Sequence, residues 1–205
     1  RTQLKALESQ GFLIFSGDNN KPIITMTNLA FELINRKSYI TDIYSKIMVG
    51  LHFGNPTRKS TLNKARVFLN TIFVIDLLKK EWEKLGNEAK GILKYEFKSF
   101  VLGMKDCDYK KCVKDILEYR KNYGLKENEE YINDYLFNKL DLKKIKYESL
   151  NDYADEVFRK FEMTGLLIAS ADGFGKNSCR ILDSPSIQIA AIKTHQPRYS
   201  ISNFV

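Results

Sequence analysis

Apolar and polar positions along this chain alternate between two rhythms. Leu4 and Leu7 recur at helical spacing among helix-forming neighbours in TQLKALESQ, and the run stops at Gly11, where glycine accepts the left-handed turn that ends a helix. FLIF then reads as a strand, GDNNKP as a turn and IITMT as a returning strand. Thr27 or Asn28 is placed to cap the next helix, NLAFELIN. SYITDIYSKIMVGLHF is helical in pattern, and a long helix is expected from about Arg66 to Leu85, with Phe68, Ile72, Ile75, Leu78 and Trp82 at helical spacing. GILKYEFKSFVLGM follows, with Leu93, Phe97, Phe100 and Val101 inward, and DYKKCVKDILEYRKNYG closes at Gly124. Residues 125–150, with the tyrosine- and acid-rich ENEEYINDYLFNKL, read as an insertion.

Towards the C-terminus the opening phrase returns. GFLIFSGD, Gly11 to Asp18, and GLLIASAD, Gly165 to Asp172, are identical in five of eight places. The context returns with it. DYADEVFRKFEMT is helical, with Ala154, Val157, Phe158 and Phe161 on one face, and it runs into Gly165. LLIAS is then a strand, ADGFGKNS a glycine-rich turn, CRIL the return strand, and SPSIQIAAI a helix with Pro185 in its first turn. Helix, hairpin, helix occurs twice. A helix running straight into a two-stranded hairpin is the closing half of a winged helix, whose preceding helices form a helix-turn-helix, although any αββα segment shares this outline. The expected class is mainly α with small β-hairpins (α+β), arranged as tandem winged-helix or helix-turn-helix-like units. Residues 1–52 would end a first unit and supply a connecting helix. Residues 53–205 would form a second, larger unit carrying the insertion.

Composition narrows the partners. The 43% hydrophobic and 28% charged content belongs to an ordinary globular protein, and no apolar run approaches the length of a membrane span. Three cysteines, Cys107, Cys112 and Cys179, are an odd count that suits reduced thiols in a cytoplasm better than a disulfide framework. The opening at Arg1 suggests a piece of a longer protein. A net charge of +8 favours a polyanionic partner, and its distribution says more than its size. GNPTRKSTLNKAR carries Arg58, Lys59, Lys64 and Arg66 without an acid, and Lys139, Lys143, Lys144 and Lys146 form a second cluster. Such clusters are either solvated surface or phosphate-facing. Both hairpin tips are basic or amide-rich, Asn19, Asn20 and Lys21 at the first, Lys176 and Arg180 at the second, and both suit a phosphate or a minor groove.

Asp152, Ala154, Asp155, Arg159, Phe161, Thr164, Gly165 and Leu166 spell D-x-A-D-x-x-x-R-x-F-x-x-T-G-L. Together with the GF hairpin, the LLKK-type helix at Leu77 to Lys80, GxLKxxF at Gly91 to Phe97 and I-x-x-Y/F-R at Ile116 to Arg120, this resembles the DNA-recognition region of AlwI/BstNBI-type type IIS restriction and nicking endonucleases. The resemblance implies an N-terminal recognition region of winged-helix-like units, double-stranded DNA as partner, and a separate C-terminal nuclease of the PD-(D/E)xK kind that uses Mg²⁺. Such a nuclease site needs an Asp and a D/E-x-K on adjoining strands, because the carboxylates hold the metal and the lysine positions or activates water. The D/E-x-K strings present, Glu88-x-Lys90, Glu96-x-Lys98, Asp108-x-Lys110 and Asp141-x-Lys143, fall mostly in helical segments. No catalytic or metal-binding residue is therefore assigned within residues 1–205, and magnesium is expected only for the full-length enzyme.

His52 and His195 lack companions at metal-ligand spacing, and no nucleotide-binding glycine motif is present. Ser16 and Ser170 recur before the tips and suit turn bonding better than nucleophilic attack. Sequence-specific duplex binding is the leading expectation. Arg1, Gln3 and Lys5 are candidates for a base-reading helix in the first unit, and Lys110, Lys111 and Lys114 in the second, while the basic loop and the wing cations hold phosphates. A tandem winged-helix transcriptional regulator and a non-catalytic protein-interaction module are the alternatives.

Overall fold

The computed structural model describes residues 2–18, 21–50, 67–102, 104 and 108–139, and, within the last segment, 154, 156, 157, 159–167, 169, 170, 173 and 174. Helix α1, Thr2–Ser9, leads into the antiparallel strands β1, Leu13–Asp18, and β2, Lys21–Met26. Of the two candidate caps, Thr27 and Asn28, it is Thr27 whose hydroxyl accepts from the Ala30 N–H and opens α2, Asn28–Ile34. That hydroxyl also donates to the Gly11 carbonyl at 2.7 Å, so one threonine ties the far end of the hairpin back to the turn where it began.

Helix α3, Ile40–Gly50, precedes the long α4, Val67–Lys84, whose Phe68, Ile72, Ile75 and Leu78 are all buried as their spacing predicts. Helix α5, Lys94–Glu96, widens into a π-type turn at Phe97–Val101, where the Leu102 N–H reaches back to the Phe97 carbonyl. Helix α6, Tyr109–Tyr123, is capped by Asp108 and closed by Gly124 at φ 68°. Helix α7, Glu129–Asp134, runs into a second π-type turn, Tyr135–Lys139.

Part of the segment read as an insertion is built into the core. Ile132 and Leu136 are fully buried, and the Tyr119 hydroxyl fixes the approach to α7 by donating to the Lys126 carbonyl and accepting from the Asn128 N–H, both at 2.7 Å. Buried residues from Phe12 to Leu167 form one hydrophobic cluster, so the described parts of both expected units share a core.

At its centre lies an ion pair with no exposed side-chain surface. Arg120 donates through Nε and Nη2 to the two carboxylate oxygens of Glu96, each at 2.7 Å, and Nη2 also reaches the Gly91 carbonyl. Glu96 accepts in addition from the Leu93 N–H that opens α5, and the guanidinium lies 5.1 Å from the Trp82 ring. The GxLKxxF and I-x-x-Y/F-R motifs thus meet, and what they hold is structure.

Residues 154, 156, 157 and 159–162 form a last helix, α8, with Ala154, Val157 and Phe161 buried. The Phe161 ring packs edge-on against Phe68 at 4.9 Å and Phe97 at 6.0 Å. After Gly165 come β3, Ala169–Ser170, and β4, Gly173–Phe174, again antiparallel. This hairpin differs from the expected one. It starts at Ala169 instead of Leu167, and the return strand is Gly173–Phe174, inside the stretch read as a turn. CRIL and SPSIQIAAI lie outside the described residues. Among the described residues the two hairpins are separate two-stranded sheets, and no helix is long and apolar enough to cross a membrane.

Candidate nucleic-acid interface

The repeated phrase builds the same joint twice. The Gly11 N–H donates to the Glu8 carbonyl and the Gly165 N–H to the Glu162 carbonyl, each at 2.9 Å, with φ at 80° and 66°. An L-residue at such φ pays a steric penalty that glycine avoids, so both helices break at the residue whose backbone can turn left-handed and feed a strand. In each copy two residues bridge the innermost strand pair. Asp18 faces Lys21 across Asn19 and Asn20, and Ser170 faces Gly173 across Ala171 and Asp172.

Of the residues expected to meet nucleic acid, Gln3 and Lys5 lie exposed on α1, and Lys21 is exposed at the base of the first turn. Lys5 is engaged, with Nζ 2.7 Å from Glu8 Oε2 and 4.6 Å from the centre of the Phe15 ring. Lys110, Lys111 and Lys114 line the exposed side of the first turns of α6, away from the buried Cys112, Val113 and Ile116. Burial pushes the Cys112 thiol well up, which keeps it protonated and inert. Arg1, Asn19, Asn20, Arg58, Lys59, Lys64, Arg66, Lys176 and Arg180 lie outside the described residues, as do His52, His195 and the second lysine cluster beyond Lys139.

Helix α6 does not feed the second hairpin; α7 and α8 intervene, and α8 is the helix that ends at Gly165. Aligning Gly165 with Gly11 places Arg159 where the first copy has Lys5. Arg159 is exposed. It stands inside the quoted motif, and the alignment of the two glycines is the sequence signal that points to it.

The acids offer little to a metal. Glu96 is taken by Arg120 and by the Leu93 N–H, Asp108 caps α6, and Lys98 is buried beside Glu127 at 3.3 Å, with burial pulling its pKa down and Glu127 opposing. The described strands contain no D/E-x-K, and among the described residues no group of three or more His, Cys, Asp and Glu side chains is placed to hold an ion. These residues do not fit the paired-carboxylate magnesium site of a nuclease.

The family model of the AlwI restriction endonuclease matches residues 10–180, from the first glycine turn to beyond the second hairpin. The chain belongs to the AlwI restriction endonuclease family. No curated protein matches it. Membership of the AlwI family carries DNA as the partner.

Proposed function

We propose that this chain is the DNA-recognition region of a type IIS restriction endonuclease of the AlwI family, and that the Mg²⁺-dependent cleavage site lies in a C-terminal nuclease domain outside residues 1–205. The observation that carries this reading is the doubled joint, in which a helix breaks at a left-handed glycine and feeds a tight hairpin. In winged-helix units that order places the helix in the major groove and the hairpin beside it over the backbone, and two tandem units give the surface that an asymmetric site requires. In this arrangement the cations of the acid-free loop and of the hairpin tips neutralise phosphates, while the helices that end at Gly11 and Gly165 face base edges. Two acids of the D/E-x-K strings support the same division of labour, because Glu96 is committed to Arg120 and the Leu93 N–H and Asp108 to the cap of α6.

The 205-residue chain, incubated with plasmid and Mg²⁺, should retard the DNA and leave it uncut, and chelating the metal should leave retardation intact. Site-specific double-strand breaks would overturn the placement of the nuclease elsewhere. Failure to retard any duplex would overturn the recognition role.

A further inference from the structure

The two joints are equivalent in backbone but not in what their cations do. Lys5 and Arg159 each stand six residues before the turning glycine, and Glu8 and Glu162 each stand three before it. Lys5 is held by Glu8 and by the face of Phe15. The second copy has alanine, Ala169, in place of Phe15, and Arg159 makes no ion pair among the described residues. The neighbouring cation, Lys160, is paired with Glu156.

Most described residues of D-x-A-D-x-x-x-R-x-F-x-x-T-G-L have an evident internal task. Ala154 and Phe161 are in the core, the Thr164 hydroxyl donates to the Phe161 carbonyl at 2.6 Å and accepts from the Leu166 N–H, and Gly165 makes the left-handed turn. Arg159 has none. At 100° per residue it falls nearly opposite Val157 and Phe161, so its side chain leaves the helix away from the core.

We propose that Arg159 is a base-reading residue of the second unit, its guanidinium entering the major groove and donating paired N–H bonds to O6 and N7 of a guanine. This rests on the DNA-recognition reading above. The helix that runs into the hairpin is the one a winged unit lays in the groove. The planar fork holds two N–H donors in the plane of guanine O6 and N7, a geometry that a lysine ammonium on its flexible stem fixes less well, and among the described residues no ion pair has to be broken to free it.

The test is selection from a pool of duplexes with a randomised central stretch, using the 205-residue chain as wild type, Arg159→Ala, Arg159→Lys and, as control, Lys160→Ala. Wild type and the control should enrich one asymmetric sequence. Arg159→Ala should lose about 10- to 100-fold of preference at one G·C pair and keep the remaining positions, and Arg159→Lys should lose less at that same pair. Thermal unfolding of the variants should match wild type, since the side chain is exposed. If Arg159→Ala enriches the same sequence with undiminished preference everywhere, or weakens all sequences alike, Arg159 does not read bases and the recognition role stands without it. A wild type that binds duplex but enriches no sequence overturns sequence-specific recognition and this proposal together.

Discussion

The two glycine joints share a phrase and differ in how they are held. In the first, Leu4 and Leu7 of α1 are 39% and 40% exposed, Ile23 and Ile24 of β2 and Phe31 and Ile34 of α2 also face solvent, and the hairpin runs for six residue pairs. In the second, Phe161, which aligns with Leu7, is 1% exposed between Phe68 and Phe97, and two pairs of the hairpin fall among the described residues. The same local turn therefore serves an open arm in one place and a core anchor in the other. A helix that breaks at glycine fixes only its own end; the surface it meets decides which of its apolar residues are buried.

The largest effect should separate the two copies directly. Phe161→Ala is expected to cost about 3–5 kcal/mol, because it removes a ring from a packed aromatic cluster, while Leu7→Ala should cost only about 1 kcal/mol at its half-open site. Denaturant unfolding of the two variants measures both. Equal losses would mean that α1 is as deeply integrated as α8, and the contrast would collapse.

Glycine replacements come next. Alanine at Gly11 or Gly165 should cost about 1–2 kcal/mol from the positive φ alone. Gly165→Ala should cost more, since its new Cβ would lie 3.3 Å from Thr41 Cγ2, where α3 and the second joint are also linked by the bond from Ser45 Oγ to the Thr164 carbonyl. Repeating the substitution in a Thr41→Ser background, which removes that methyl group, should bring its cost down to that of Gly11→Ala. If the excess persists, the close approach to α3 is not its source.

The smallest effect concerns how the first copy is tethered. Glu32 of α2 accepts from Lys46 Nζ on α3 at 2.9 Å and from the Ser38 hydroxyl at 3.2 Å, and the Lys46 bond holds its carboxyl below the usual 4.5. A carboxylate with a depressed folded-state pKa contributes stability above its unfolded pKa and loses it as pH falls through the folded value. Because Lys46 is half exposed, the contribution should be no more than about 0.2–1 kcal/mol. Hydrogen-exchange protection in α2, taken relative to the intrinsic rate at each pH, should therefore fall below pH 4.5 in wild type and already be lowered at neutral pH in Glu32→Gln, with α8 unaffected in both. A matching loss of protection in α8 would show that acid loosens the whole fold and not the first copy.

Much of this arrangement was legible in the chain. The period of Phe68, Ile72, Ile75 and Leu78 gave α4 its buried face, Thr27 its cap, and Gly11, Gly124 and Gly165 their helix ends, because spacing, side-chain oxygens and a missing Cβ act within a few residues. The motif resemblance led to the AlwI family that the family model supports over residues 10–180. What tertiary structure alone decided depends on surfaces far apart in sequence. Nothing local distinguishes the Leu7 position from the Phe161 position until Phe68 and Phe97 close over one of them. Nothing near Glu96 announces that Arg120 will bury with it, a partnership possible only where α5 and α6 exclude water and the remaining carboxylate lone pairs find the Leu93 N–H. The short return strand Gly173–Phe174 was hidden for the same reason, since strand identity at a glycine-rich turn is set by the neighbour that pairs with it and not by the propensity of the residues themselves.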